Sequence, residues 1–159
     1  MIVFVCLSVA LVVLFSGAYL LKVGKLPDSI SAMVYGLESP HRWIWILWMW
    51  AVSLVTCIPF IEVLPENWKA MGFLTLVCLG FVGAMPLVEK EKNTSHYSFG
   101  ISAGILSQIV VAMICPWWLL LWATFPVCGI LGIAFGEKST LVAEIICYAT
   151  MIGCLCMYI

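Results

Sequence analysis

The chain has 159 residues, of which 65% are hydrophobic and 9% charged, with a net charge of −1. An ordinary globular domain carries about 25% charged residues, so this composition excludes a water-solvated fold and points to one solvated by lipid. Seven basic residues without a clustered patch also exclude a nucleic-acid-binding surface.

A helix crossing the hydrocarbon core needs roughly 17 to 25 mostly apolar residues. The apolar runs divide into six such segments, so the expected fold is all-α: a polytopic transmembrane helical bundle forming a single integral membrane domain over 1–159. Span 1 covers about 2–21. No Lys or Arg precedes Lys22, and Ser16-Gly17-Ala18 is followed by further apolar residues. An uncleaved helix is therefore expected rather than a signal peptide, which needs a basic n-region and a clean cleavage boundary.

Loop 1 follows, with Asp28 or Ser29 able to cap a two-turn helix whose Ile30, Met33, Val34 and Leu37 share one face and which Gly36 ends. Such a helix would lie in the interface and close over the bundle. Ser39-Pro40 then opens span 2 (43–61), with His41 and Arg42 at its mouth. Trp43 and Trp45 suit the headgroup level there, whereas Trp48 and Trp50 sit deeper, suited to lipid-facing or packing roles or to lining a pocket. Beyond it, Glu62, Glu66 and Lys69 form a loop cluster in which Lys69 can pair with Glu66.

Span 3 covers 70–88 and leads to loop 3, an alternating Glu89-Lys90-Glu91-Lys92 run that reads as a solvated connector. Asn93-Thr94-Ser95 matches a glycosylation sequon, but on the side of the membrane assigned below it has no role. From Phe99 to Phe135 there is no charged residue or histidine. As one helix that run would measure about 56 Å, against a hydrocarbon core of about 30 Å. It must turn back, and Cys115-Pro116-Trp117-Trp118 combines a residue suited to a first helical turn with two suited to the interface. Spans 4 and 5 are then 97–115 and 117–135. Span 6 covers 139–158, with Ser139 as its N-cap.

Loops 1, 3 and 5 fall on one side and carry Lys22, Lys25, Arg42, Lys90, Lys92 and Lys138, against Lys69 alone on the other. The positive-inside rule makes the first side cytoplasmic and puts both termini outside, in a plasma (inner) membrane. Small residues mark expected helix contacts or a homodimer face: Gly80, Gly83 and Ala84; Gly100, Gly104 and Ser107; Gly129, Gly132 and Gly136. Pro59, Pro86 and Pro126 should bend the helices that hold them. The eight cysteines, at 6, 57, 78, 115, 128, 147, 154 and 156, lack disulfide or metal spacing and read as small hydrophobes.

Glu144 is the one acid well inside a span, about 8 Å below the cytoplasmic end. A carboxylate at that depth needs a partner or a wet cavity; Lys138, Arg42 and Tyr148 are the candidates. Asp28, His41, His96 and Glu144 share this end, and as carboxylates and imidazoles they form the candidate catalytic set. Asp28, His41 and His96 are the candidate metal ligands. No cofactor is assigned, and no motif supports carrying over residues from a known family.

Three functions fit these features. The first is an accessory or structural membrane protein acting through helix contacts, in a homo-oligomer or a larger complex. The second is a membrane-embedded enzyme with a cytoplasmic-side polar or metal site, acting on a lipid-like substrate. The third is a small transporter or channel, for which Gln108 is the polar residue at mid-depth. Membrane lipid is the expected partner throughout, and nucleic acid is not.

Overall fold

The computed structural model describes residues 1–88, 94–130 and 138–159. Loop 3 from Glu89 to Asn93, the residues 131–135 expected to complete span 5, the glycines Gly132 and Gly136, and Glu137 lie outside the described residues. Among the described residues every regular element is a helix, without a strand. Its helices are α1 (Ile2–Val23), α2 (Arg42–Val63), α3 (Lys69–Val88), α4 (Thr94–Ile114), α5 (Thr124–Ile130) and α6 (Ser139–Cys156). All but α5 are long and apolar enough to cross a membrane. This is a polytopic helical membrane protein.

Helices satisfy their own backbone donors and acceptors, which lipid cannot do. Their side chains are sorted by contact rather than by polarity. Val13, Leu14 and Leu21 of α1 point outward at 62%, 71% and 91% exposure, while Ser8, Ser53, Thr56, Thr75, Ser107 and Thr150 are buried. That arrangement would cost heavily in water; in a bilayer it puts hydrocarbon against hydrocarbon and pairs hydroxyls inside. The most enclosed element is α2, which packs against α1, α3 and α6.

Gly24 ends α1 in the left-handed conformation (φ 70°) and donates its N–H to Leu20 O at 2.8 Å, a backbone state that glycine adopts without steric cost. Loop 1 then differs from the sequence expectation in the length of its helix. Ser29 Oγ accepts the Ala32 N–H at 3.0 Å, the bond a capping hydroxyl makes, as expected for Ser29. The helix that follows is shorter than expected, a single 3-10 turn, Met33–Gly36, with Met33, Val34 and Leu37 buried. A second 3-10 turn, Ser39–His41, leads into α2. On the opposite end Lys69 pairs with Glu66 at 2.5 Å.

Helices α4 and α6 run parallel. A Cβ at Gly104 would lie 3.7 Å from Cys147 Sγ, Gln108 bonds Thr150, and Cys154 Sγ lies 3.9 Å from Cys115 O. Two parallel neighbours require a connection that returns across the bundle. The return starts as a 3-10 helix, Pro116–Ala123, continues as α5, and rests its Trp118 ring on Gly153 and its Trp122 indole on Gln108.

The small-residue stripes divide in role. Gly83 permits close approach of Trp50, whose Nε1 donates to Gly80 O at 3.1 Å. The stripe on α4 is split: Gly104 approaches α6 as expected and Ser107 is buried, whereas a Cβ at Gly100 would meet no atom within 4 Å. Ser139 is the first residue of α6, with Lys138 before it as the cap.

Candidate functional site

Glu144 lies in the second turn of α6, and loop 1 folds back over the helix ends to reach it. The backbone N–H groups of Ile30 and Ser31 both donate to Oε2, the second at 3.4 Å, while Ser31 Oγ donates to Oε1 at 2.5 Å. The three side chains expected as partners also make bonds of their own. Lys138 Nζ donates to Asp28 Oδ1 at 2.9 Å and to Leu26 O at 2.7 Å. Arg42 Nε donates to Leu37 O at 3.4 Å, and the Tyr148 hydroxyl lies 2.7 Å from Ser8 Oγ. Loop 1 is thus clasped to α6 at two points, one near the interface and one about two turns deeper. A carboxylate at that depth is stabilised by such donors.

Beneath the clasp is a cavity of about 820 Å³ between α2, α4 and α6, with Leu119 and Trp122 of the returning segment among its lining residues. Its walls are mostly apolar. Ser31, His96 and Glu144 give it a polar end under loop 1. His96 stands in the first turn of α4, only 1% exposed, with its ring edge-on to Tyr35 at 5.5 Å between centroids.

Farther down, two hydrogen-bonded knots tie the walls together. Gln108 Oε1 accepts from Trp122 Nε1 at 2.9 Å and from Thr150 Oγ1 at 3.0 Å, and its Nε2 donates to Ser107 Oγ at 3.1 Å. Ser8, Thr56 and Tyr148 join α1, α2 and α6, with Ser8 Oγ 2.6 Å from Thr56 Oγ1. The Trp48 indole, stacked on Phe15 at 4.2 Å, donates to Leu11 O and contributes to the same wall.

Of the four candidate residues, His96 and Glu144 line this one cavity. Asp28 braces loop 1 through Lys138. His41 lies at the start of α2, with Nδ1 3.7 Å from Glu38 Oε2, and does not line the cavity. Among the described residues no group of three or more His, Cys, Asp or Glu side chains could hold a metal ion. Sequence reasoning did not single out Ser31 as the partner of Glu144, nor Gly100 as a cavity wall. Both depend on which helices are neighbours, and neither residue type signals that.

Comparison with known proteins found no matching family model, no matching curated protein and no matching solved structure.

Proposed function

We propose that this integral membrane protein binds a long-chain amphiphile, with the chain in the cavity between α2, α4 and α6 and the head group under loop 1. The cavity itself carries the reading. Its volume falls within the range of small-molecule sites, about 300 to 1,000 Å³. Along α4 it is lined from His96 to Ala112, about 24 Å of helix rise within a core of about 30 Å. An apolar, elongated space with one polar end matches an amphiphile in shape and in polarity.

Entry from the bilayer is supported by Ile101 and Ile105, which line the cavity and are also 60% and 58% exposed. A conduction path is less well supported, because Gln108, Ser107 and Thr150 are engaged with one another. An accessory role through helix contacts alone would need no cavity. If the bound molecule is transformed, His96 and Glu144 are the acid–base candidates favoured over Asp28 and His41, since they line the space the head group would occupy.

Gly100→Phe tests the reading, because it projects a ring into the cavity from a backbone position with room for it. The amphiphile retained through purification in mild detergent, measured by native mass spectrometry, is expected to fall about tenfold or more. Gly17→Phe, on α1 away from the cavity, should leave it unchanged. Equal retention by wild type and Gly100→Phe would overturn the proposal.

The orientation belongs to the same proposal. Six of the seven basic residues favour a cytoplasmic position for the loop-1 end, in a plasma (inner) membrane, with both termini outside. An alkaline phosphatase fused to the carboxyl terminus should be active and a fluorescent protein fused there dark; the reverse pattern would contradict this orientation.

A further inference from the structure

We infer that the amphiphile carries a hydrogen-bond-accepting oxygen, a carbonyl or an ether, about twelve carbons along its chain, where the Gln108 amide binds it. This rests on the cavity reading above and names the ligand class of that site. Gln108 lines the cavity from the middle of α4, half-buried among mostly apolar walls. Its neighbours fix which way the amide is turned. An indole N–H can only donate, so the atom 2.9 Å from Trp122 Nε1 must be the oxygen, Oε1. Thr150 Oγ1 donates to the same oxygen at 3.0 Å. The nitrogen Nε2 then faces Ser107 Oγ at 3.1 Å. That hydroxyl gives its own proton to Gly104 O at 2.7 Å, so towards Nε2 it accepts.

An amide nitrogen carries two protons, and only one goes to Ser107. The second meets no acceptor among the described residues. The open space beside Gln108 is the cavity, so what fills the cavity supplies that acceptor. A saturated chain would leave the donor unmet in hydrocarbon, which is costly, whereas an oxygen in the chain satisfies it. Trp122 and Thr150 hold the carbonyl side, so the amide is oriented before anything binds. Depth sets where the oxygen must lie. Gln108 stands roughly 18 Å of helix rise below His96, which marks the polar end. An extended chain advances about 1.25 Å per carbon, from bonds of about 1.52 Å meeting at about 111°. Helical side chains lean toward the helix N-terminus, here the polar end, which brings the count from about fourteen carbons to about twelve.

The test uses the full chain in neutral detergent with octadecanol and three of its ketones, the carbonyl standing at the eighth, twelfth or sixteenth carbon. The ketones share one composition, so the cost of drawing a carbonyl out of detergent cancels between them. Competition is read by native mass spectrometry. The twelfth-carbon ketone is expected to bind about tenfold more tightly than either of the others. Gln108→Met, which keeps the length of the side chain and removes the donor, should bind all three alike. Trp122 and Thr150 lose their acceptor in that variant; should it fail to fold, the wild-type comparison decides alone. Binding of either flanking ketone as tight as the twelfth-carbon one, or a preference that persists in Gln108→Met, would overturn the mid-chain inference and leave the cavity reading standing. Failure of all four compounds to bind, or binding indifferent to Gly100→Phe, would overturn the cavity reading itself.

Discussion

Glu144→Ala is expected to release loop 1 from α6 and to lower the unfolding free energy by about 3 kcal/mol. Three donors lose their acceptor at once: the Ile30 and Ser31 N–H groups and the Ser31 hydroxyl. Hydrogen bonds to a charged group contribute about 1.5 to 3 kcal/mol each, but the freed loop can turn part of this polar surface to water near the interface, which limits the loss. Ser31→Ala, which keeps the backbone donors, should cost only about 1 kcal/mol. The free energies are checked by denaturant unfolding in detergent. A second readout is trypsin cleavage after Lys25, which should accelerate in Glu144→Ala well beyond any change in Ser31→Ala. Unchanged cleavage and stability in Glu144→Ala would show that Lys138 and the buried Met33, Val34 and Leu37 hold the loop by themselves.

The second large effect is expected at Gly153→Val, with a loss of about 3 kcal/mol or more. A Cβ at this position would lie 2.6 to 2.7 Å from three carbons of the Trp118 indole, so the substitution forces the ring away. The indole cannot yield like the end of a flexible chain, because it is rigid and packs in the cluster with Val110, Met151 and Leu155. Displacing it should move the whole returning segment, including Trp122 and its bond to Gln108. Gly104→Ala gives the contrast: its Cβ meets Cys147 Sγ at an ordinary 3.7 Å, and replacing glycine within a helix favours stability by about 0.5 to 1 kcal/mol. Unfolding midpoints of the two variants should therefore move in opposite directions. A Gly153→Val midpoint equal to wild type would disprove the close packing of Trp118 on α6.

Several features were legible before any coordinates. Composition identified the solvent, because no water-soluble surface can be made from so few charged side chains. The long uncharged run had to reverse, because a helix of that length exceeds the hydrocarbon thickness, and Pro116 begins the returning segment. Glu144 stood out because burying a carboxylate demands partners, and the structure supplies them. Of the apolar residues expected on one face of loop 1, Met33, Val34 and Leu37 are buried and Ile30 is half-buried, in a 3-10 turn shorter than the expected helix.

Helix pairing was not legible, and the cavity depends on it. In water, an apolar stripe tells which face of a helix turns inward. In lipid that contrast disappears: exposed Leu14 and Leu21 are as apolar as buried Val5 on the same helix. The glycines at 83 and 100 look alike in sequence, yet one admits Trp50 and the other borders empty space. The sequence by itself therefore determined that the chain crosses a membrane as helices and that one acid inside a span needs partners. Tertiary structure alone decided that α4 and α6 lie side by side, that loop 1 caps the acid, and that a chain-sized space opens between them. The physical reason is that hydrocarbon solvates the outside of these helices much as their neighbours solvate the inside, leaving shape and scarce polar groups to set the packing.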